Sequence, residues 1–400
     1  MKEDTRTEEE KARSKRTHAL VMIILGAIMA ACALAAGLIA MSPGVFPSWM
    51  TGSPRRAEPY RSPRPTLVKF ADFDLNALAR ARADKRLVLL HLAPAWSSEA
   101  RLMEETTYAD AQTADWIAAR LVAVRADAEE RPDLALTYGV GAWPSIVLLL
   151  PDGRALAAAS RLTPKLFLPW ATLIADCLRD DAAKAEALAV DAGRRFSAVH
   201  GRPAPSAGPD DPVWGGAYHS PREHAKVLAE QAAVVASSDA PRAKAVLTFV
   251  ENFLSLPGGG YAASTRGEVE LADGRIEEGS AYFAKDDAAR RADGLPKIDR
   301  RIFSGPNAEM VAATLKSPVA TTAQKDHARR TLDFLWTRLV RDGRVAHSAG
   351  GIYGWSEDQK AMIEAELAAG RSDRARALGP VNQPRRRSSR PTILKDGLSI

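Results

Sequence analysis

An α/β domain followed by an all-α region of helical hairpins, with one membrane-spanning helix ahead of both, is the architecture this sequence predicts. Three observations carry it. Ala19 to Met41 is an apolar run without a charge, about 23 residues long and so enough to cross ~30 Å of hydrocarbon. Between Leu87 and Gly153, short apolar runs of the buried-strand type are separated by a helical pattern. From Arg222 onward apolar residues recur at i, i+3 and i+4 in successive segments, the period of amphipathic helices.

Taken in order, residues 1–18 are polar and carry both charge signs, and read as a disordered cytoplasmic tail. Lys11, Arg13, Lys15 and Arg16 crowd the N-terminal side of the 19–41 run, while the nearest basic residues beyond it are Arg55 and Arg56. The positive-inside rule then leaves Met1 in the cytoplasm and the rest outside it, on the periplasmic side if the membrane is a bacterial inner one. Met29–Cys32 resembles a lipoprotein cleavage site, but the apolar run continues past Cys32, and the reading is an uncleaved single-pass anchor. Residues 42–65 are rich in proline and polar groups, a tether between membrane and folded part.

A 400-residue chain that is 46% hydrophobic can bury two domains. The formal net charge of +6 lies largely in the two ends, which favours anionic lipid or solubility over sequence-specific nucleic acid. No nucleic-acid partner is expected. The only two cysteines are Cys32 and Cys177. One lies in the apolar run and the other in an expected helix of the folded part, so no bridge between them is expected.

Residues 66–200 form the first expected domain. Phe70–Lys85 reads as a short helix, Leu87–Leu92 as a buried strand, and Leu102–Leu121 as a helix with Met103, Trp116 and Ile117 on its apolar face. Strands at Leu121–Val124, Ser145–Leu150 and Ala155–Ala159 follow, then helices at Lys165–Leu178 and Ala182–Ala198. The acidic run Asp127–Asp133, with Pro132 inside it, reads as a helix start favoured by the helix dipole rather than as a metal site. A strand, a helix, a strand and then a strand approached through Trp143–Pro144 is the order of a thioredoxin-like core. Such a core usually has Cys-x-x-Cys where its first strand turns into its helix. Here that turn reads Trp96–Ser97–Ser98–Glu99–Ala100, without a cysteine. Thiol–disulfide chemistry needs the thiolate as nucleophile, so none is expected from this turn.

Residues 201–212, GRPAPSAGPDDP, are a linker by composition. In residues 213–370, helices are expected at 222–237, 240–254, 307–314, 323–341 and 358–369, with a hairpin between Gly267 and Phe283 turning at Asp273–Gly274. Residues 371–400 are basic and patternless and read as a disordered tail.

Several segments together resemble the spermatogenesis-associated, thioredoxin-domain-containing proteins. Met103–Asp110, the turn Asp127–Asp133, and Gly141–Pro144 leading to Pro151–Gly153 match that family's motifs in order and spacing. Thinner matches continue at Trp214–Gly216, Lys226–Ala232, Glu278–Tyr282, Pro306–Asn307 and Asp358. The resemblance implies a thioredoxin-like domain followed by a six-hairpin, glycosidase-like α/α toroid. The chain departs from the family where chemistry would sit. The Cys-x-x-Cys falls on Ser97–Ala100, and the Asp-x-Asp pair after the Gly-rich turn falls on Thr265 and Gly267. The part after Pro212 is too short for a complete toroid.

The candidate site is therefore a peptide-binding groove lined by Trp96, Ser97, Ser98, Trp143 and Pro144, whose proline-led strand could present a backbone edge. Ser97 and Ser98 have no histidine close in sequence to act as base, and His91 reads as a packed strand residue. His219, Glu223 and His224 fit no zinc spacing, and Gly258–Gly260 lacks the lysine of a phosphate loop. No metal or cofactor is expected. The weaker catalytic candidates are Glu278 and Asp358, a carboxylate pair for glycan chemistry. The function expected is a membrane-anchored, redox-inactive scaffold or chaperone-like module that binds a protein partner in the envelope. The alternative is an enzyme of the glycosidase-like class.

Overall fold

The structure is a computed structural model and describes residues 66–180, 186–192 and 207–379. The expected cytoplasmic tail, anchor and tether all lie outside the described residues, as does most of the 182–198 helix. Among the described residues no helix is long and apolar enough to cross a membrane.

The first half is a five-stranded mixed sheet in the order β1-β3-β2-β4-β5. Its strands are β1 Ala71–Asp72, β2 Leu87–Ala93, β3 Leu121–Asp127, β4 Ser145–Leu149 and β5 Ala155–Ser160. Strands β1, β3 and β2 run parallel, and β4 and β5 are antiparallel to their neighbours. The period-2 rule sorts the side chains. Val88, Leu90, Leu92, Val147 and Leu149 face one layer, packed with Leu78 and Ala81 of α1 (Leu75–Ala83) and Tyr138 of α4 (Pro132–Tyr138). Leu89, Ile146 and Leu148 face the other, packed with Met103 of α2 (Ser98–Thr106), Ile117 of α3 (Ala111–Arg120) and Phe167 of α5 (Pro164–Asp180). His91 belongs to this second face, beside Phe70 and Tyr108. Burial and then Arg125 push its pKa down to about 4, so it packs as a neutral ring.

The single helix expected over 102–121 is two. Asp110 accepts from the Thr113 N–H and caps α3, ending the pattern at Thr107–Asp110 and starting it afresh. The acidic run does start a helix, with Pro132 in the first turn of α4.

The second half is largely helical. Its core gathers α6 (Leu228–Ser237), α7 (Ala240–Phe249), α10 (Ser304–Lys316), α11 (Thr322–Leu339) and α12 (Ser356–Ala368), with Met310, Val311, Leu332, Leu335 and Met362 fully enclosed. Helix α10 lies centrally, against α6, α11 and α12. A π-helical turn, Val250–Leu254, extends α7. Between these helices come β6 Lys226–Val227, β7 Ser264–Thr265, β8 Val269–Glu270 and β9 Ile276–Glu277, then α8 Gly279–Tyr282, α9 Asp287–Asp293 and β10 Ile298–Asp299. Strands β8 and β9 form the hairpin expected around Asp273–Gly274, and β11 Val340–Arg341 with β12 Arg344–Val345 form another.

The basic tail starts later than its composition suggests. Ser372–Ala377 form α13, and Arg371 and Arg374 both pair with Asp333 at 2.7 and 2.8 Å. Arg374 also lies over the Trp336 ring. What reads as solvated charge in sequence is here a helix-end clamp.

Candidate functional site

The turn between β2 and α2 is where a thioredoxin-like core keeps its nucleophile, and Trp143–Pro144, a cis peptide, approaches β4 beside it. Ser97 caps α2 by accepting from the Ala100 N–H at 3.2 Å. The structure does bring the sequence-expected groove together, and it covers it. Trp96, Ser97 and Ser98 are each buried to within 7%. Trp96 packs with Ala225 and Val227 of the helical region, with Trp143 alongside. The Glu223 carboxylate accepts from the Ser98 backbone N–H at 2.8 Å and from its hydroxyl at 2.6 Å. The His219 ring lies 4.5 Å from the Trp96 ring and is tied to Glu230 at 2.7 Å. His224 stacks on Phe283 instead. The three residues weighed as a metal cluster thus serve three separate contacts.

A second set of contacts joins the same two parts beside the first. Arg301 donates to Asp127 and Glu130 of the acidic run at 2.8 and 2.9 Å while held by its neighbour Asp299. His347 Nδ1 donates to Asp358 at 2.8 Å and its Nε2 donates to the Glu129 carbonyl at 2.6 Å. Both ring nitrogens face acceptors, an arrangement that favours the doubly protonated imidazole. Burial opposes that charge, but Asp358 outweighs it and raises the pKa. Phe303 stacks on the other side of the ring at 5.0 Å. Farther along, Arg101 of α2 donates to Glu268 at 2.9 Å. None of these partners across the junction is legible in the motif pattern, because each joins residues more than 120 positions apart.

The Glu129 carboxyl lies inside this junction near the Trp96 indole, and Glu129 Oε2 completes no hydrogen bond among the described residues. Burial, reinforced by Asp127 and Asp299, pushes it up to about 8. A carboxyl raised in the folded state favours folding most below the ordinary carboxylate range, and its contribution declines as pH rises towards about 8. His347 is raised too, so its contribution is complete below the ordinary histidine value and is lost as pH climbs through the folded one. Glu129 therefore loosens the junction as pH rises from the ordinary carboxylate range towards about 8, and His347 adds to this only above the ordinary histidine value. Glu129→Gln is expected to stabilise the full chain at about pH 8 by about 4 kcal/mol, and at about pH 5 by about 1 kcal/mol or less. Urea midpoints at the two pH values measure this, and an equal shift at both would remove Glu129 from the account.

The two catalytic candidates are not brought to an open surface. Asp358, 2% exposed, accepts from the Gly305 N–H at 3.1 Å as well as from His347. Glu278, 3% exposed, precedes α8 at a turn where Gly279 lies against His224 and the Gly267 carbonyl. Among the described residues, no group of three or more His, Cys, Asp or Glu side chains is arranged to hold a metal ion.

Fold and site together define a thioredoxin-like domain without a dithiol at its turn, followed by a largely helical region that docks on that turn. A family model named Thioredox_DsbH, described as a protein of unknown function, DUF255, matches residues 59–173. The match is confined to the first half. Solved structures similar to the chain include a DsbH oxidoreductase, at 14% identity, covering 31% of this chain and 95% of its own, with a TM-score of 0.26. A thioredoxin from Thermus thermophilus gives 21% identity, 27% and 86% coverage and a TM-score of 0.25. A disulphide isomerase from Xylella fastidiosa Temecula1 gives 17% identity, 25% and 86% coverage and a TM-score of 0.23. No curated protein matches the chain.

Proposed function

We propose that this chain is a redox-inactive binding protein of the cell envelope, in which the thioredoxin-like domain is a platform for the helical region. Residues 19–41 anchor it, its folded part faces the periplasm, and it engages a protein partner as a scaffold or chaperone-like module. The helical region is read as a relative of the six-hairpin toroid, on the motif matches from Trp214 to Asp358. The observation that carries the proposal is the state of the turn. Ser97 and Ala100 stand where a dithiol would, and Ser98 between them is held by Glu223 from the chain's own second half. A face that takes part in thiol exchange must admit a second protein's disulfide; this one is covered from within.

The test is a trap placed at the turn. Ser97→Cys in otherwise native membranes is expected to resist a membrane-impermeant maleimide and to form no mixed disulfide with another protein. Adding Glu223→Ala is expected to raise its labelling rate by about tenfold or more, as the docked segment opens. Rapid labelling of the single variant, or a partner caught on the introduced thiol without the second change, would overturn the self-covered platform. That result would return the groove of Trp96, Ser97, Ser98, Trp143 and Pro144 to the role of an open binding site.

A further inference from the structure

A cleft of about 170 Å³ opens in the helical region, away from the thioredoxin-like turn, between the π-helical end of α7 and helices α10 and α11. Its floor is apolar, made by Leu247 and Val250, each 2% exposed. Its walls carry opposite charges. Glu251 is held in place by the Gln324 amide, which donates to it at 2.8 Å, while Gln324 is itself fixed by the capping box of α11. Arg330 lines the same cleft and, among the described residues, makes no ion pair within 4 Å with Glu251 or any other carboxylate. His327 sits within electrostatic reach of both. Burial and then Arg330 lower its pKa, so the ring is neutral at neutral pH. Its Nε2 then donates to the Gly260 carbonyl at 3.3 Å and Nδ1 remains an acceptor.

The backbone here is also irregular. The Ser255 N–H bonds to the Val250 carbonyl at 2.9 Å, an i to i+5 step. Such π turns occur frequently at functional sites, and this one carries Glu251 on the cleft wall, with Ser255 at its end.

We infer that this cleft binds a small zwitterion, a free α-amino acid with a short aliphatic side chain. The carboxylate pairs with Arg330, whose planar fork suits it. The ammonium is accepted by Glu251 and the His327 ring nitrogen, and the side chain covers Leu247 and Val250. The volume is below the ~300 Å³ at which sites for drug-sized ligands begin, which limits the ligand to this size class. A lone anion would leave Glu251 facing it, and a lone cation would leave Arg330 facing it. A ligand carrying both charges satisfies both walls.

The experiment is calorimetric titration of the detergent-solubilised full chain with L-valine and L-leucine. Isobutylamine and 3-methylbutanoate, the single-charge analogues of valine, serve as comparison probes. Saturable binding of the amino acids is expected, with each analogue weaker by about tenfold or more. Arg330→Gln and Glu251→Gln, both at exposed positions, are each expected to weaken L-valine by at least about tenfold while leaving the melting temperature in place. Three results would each overturn the inference. They are no saturable binding of either amino acid up to about 10 mM, analogues that bind as well as L-valine, and affinity unchanged in the two variants.

Discussion

Asp211→Asn is expected to destabilise the full chain by about 3–5 kcal/mol, the cost of breaking a buried ion cluster by removing the anion that two cations share. Asp211 is 3% exposed, and both its oxygens accept from Arg290, at 3.0 and 2.8 Å. Lys226 donates to the same carboxylate at 2.8 Å and to the Gly215 carbonyl at 2.6 Å. Arg290 and Lys226 are essentially unexposed, and aromatic rings close around them, with Lys226 Nζ 4.2 Å from the Phe249 centroid and Arg290 4.8 Å from that of Trp214. Desolvation drives the lysine down to about 8 even with its partner present. Against the same burial, Arg290 and Lys226 hold the Asp211 carboxyl below its ordinary range. That stability is present above the ordinary carboxylate value and disappears as pH falls through the folded one. The gap between wild type and variant, read from urea midpoints, is therefore expected to narrow on acidification. A difference below about 1 kcal/mol near neutral pH would place the cluster among ordinary surface pairs.

This cluster marks the limit of what the sequence discloses. The strands of the first half are legible because the apolar runs at Leu87–Leu92 and Ser145–Leu150 are a local property, and the sheet buries them on both of its faces. The start of α4 at Pro132 and the hairpin at Asp273–Gly274 are equally local. The break between α2 and α3 is carried by Asp110 alone, a capping signal hidden within a continuous helical pattern. Asp211 reads as one polar residue of a linker, because its partners lie 15 and 79 positions away. The residues Trp96, Ser97, Ser98, Trp143 and Pro144 can be grouped from the order of elements. That Glu223 and Val227 lie upon them cannot be read the same way, since nothing in the spacing of a helical region says which face it offers to its neighbour. Arg371 and Arg374 fail as signals for the opposite reason. Basic composition suggests solvent, while Asp333 and Trp336 give them a place.

Glu223→Ala is the second large effect expected, about 3 kcal/mol with the junction opened, because it strips a carboxylate from two buried donors of Ser98. The position explains why an acid is there. Ser98 is the first residue of α2, and its backbone N–H belongs to the unpaired set at a helix N-terminus, where the helix dipole favours negative charge. In thiol-bearing turns of this kind the same field lowers the pKa of a cysteine and stabilises its thiolate. Here the serines carry no charge, and Glu223 supplies the anion from a distant segment, accepting from N–H and hydroxyl together. Glu223→Gln keeps the shape and an acceptor but removes the charge, so it is expected to cost about 1–2 kcal/mol. It separates the electrostatic share from the loss of the bonds. Trp96, 5% exposed beneath the same segment, reports the opening directly through its fluorescence and quenching. If alanine and glutamine cost the same, the helix N-terminus plays no part and Glu223 is only a hydrogen-bond acceptor. If neither variant exposes Trp96, the junction is held elsewhere, by Arg301 and His347 against the acidic run.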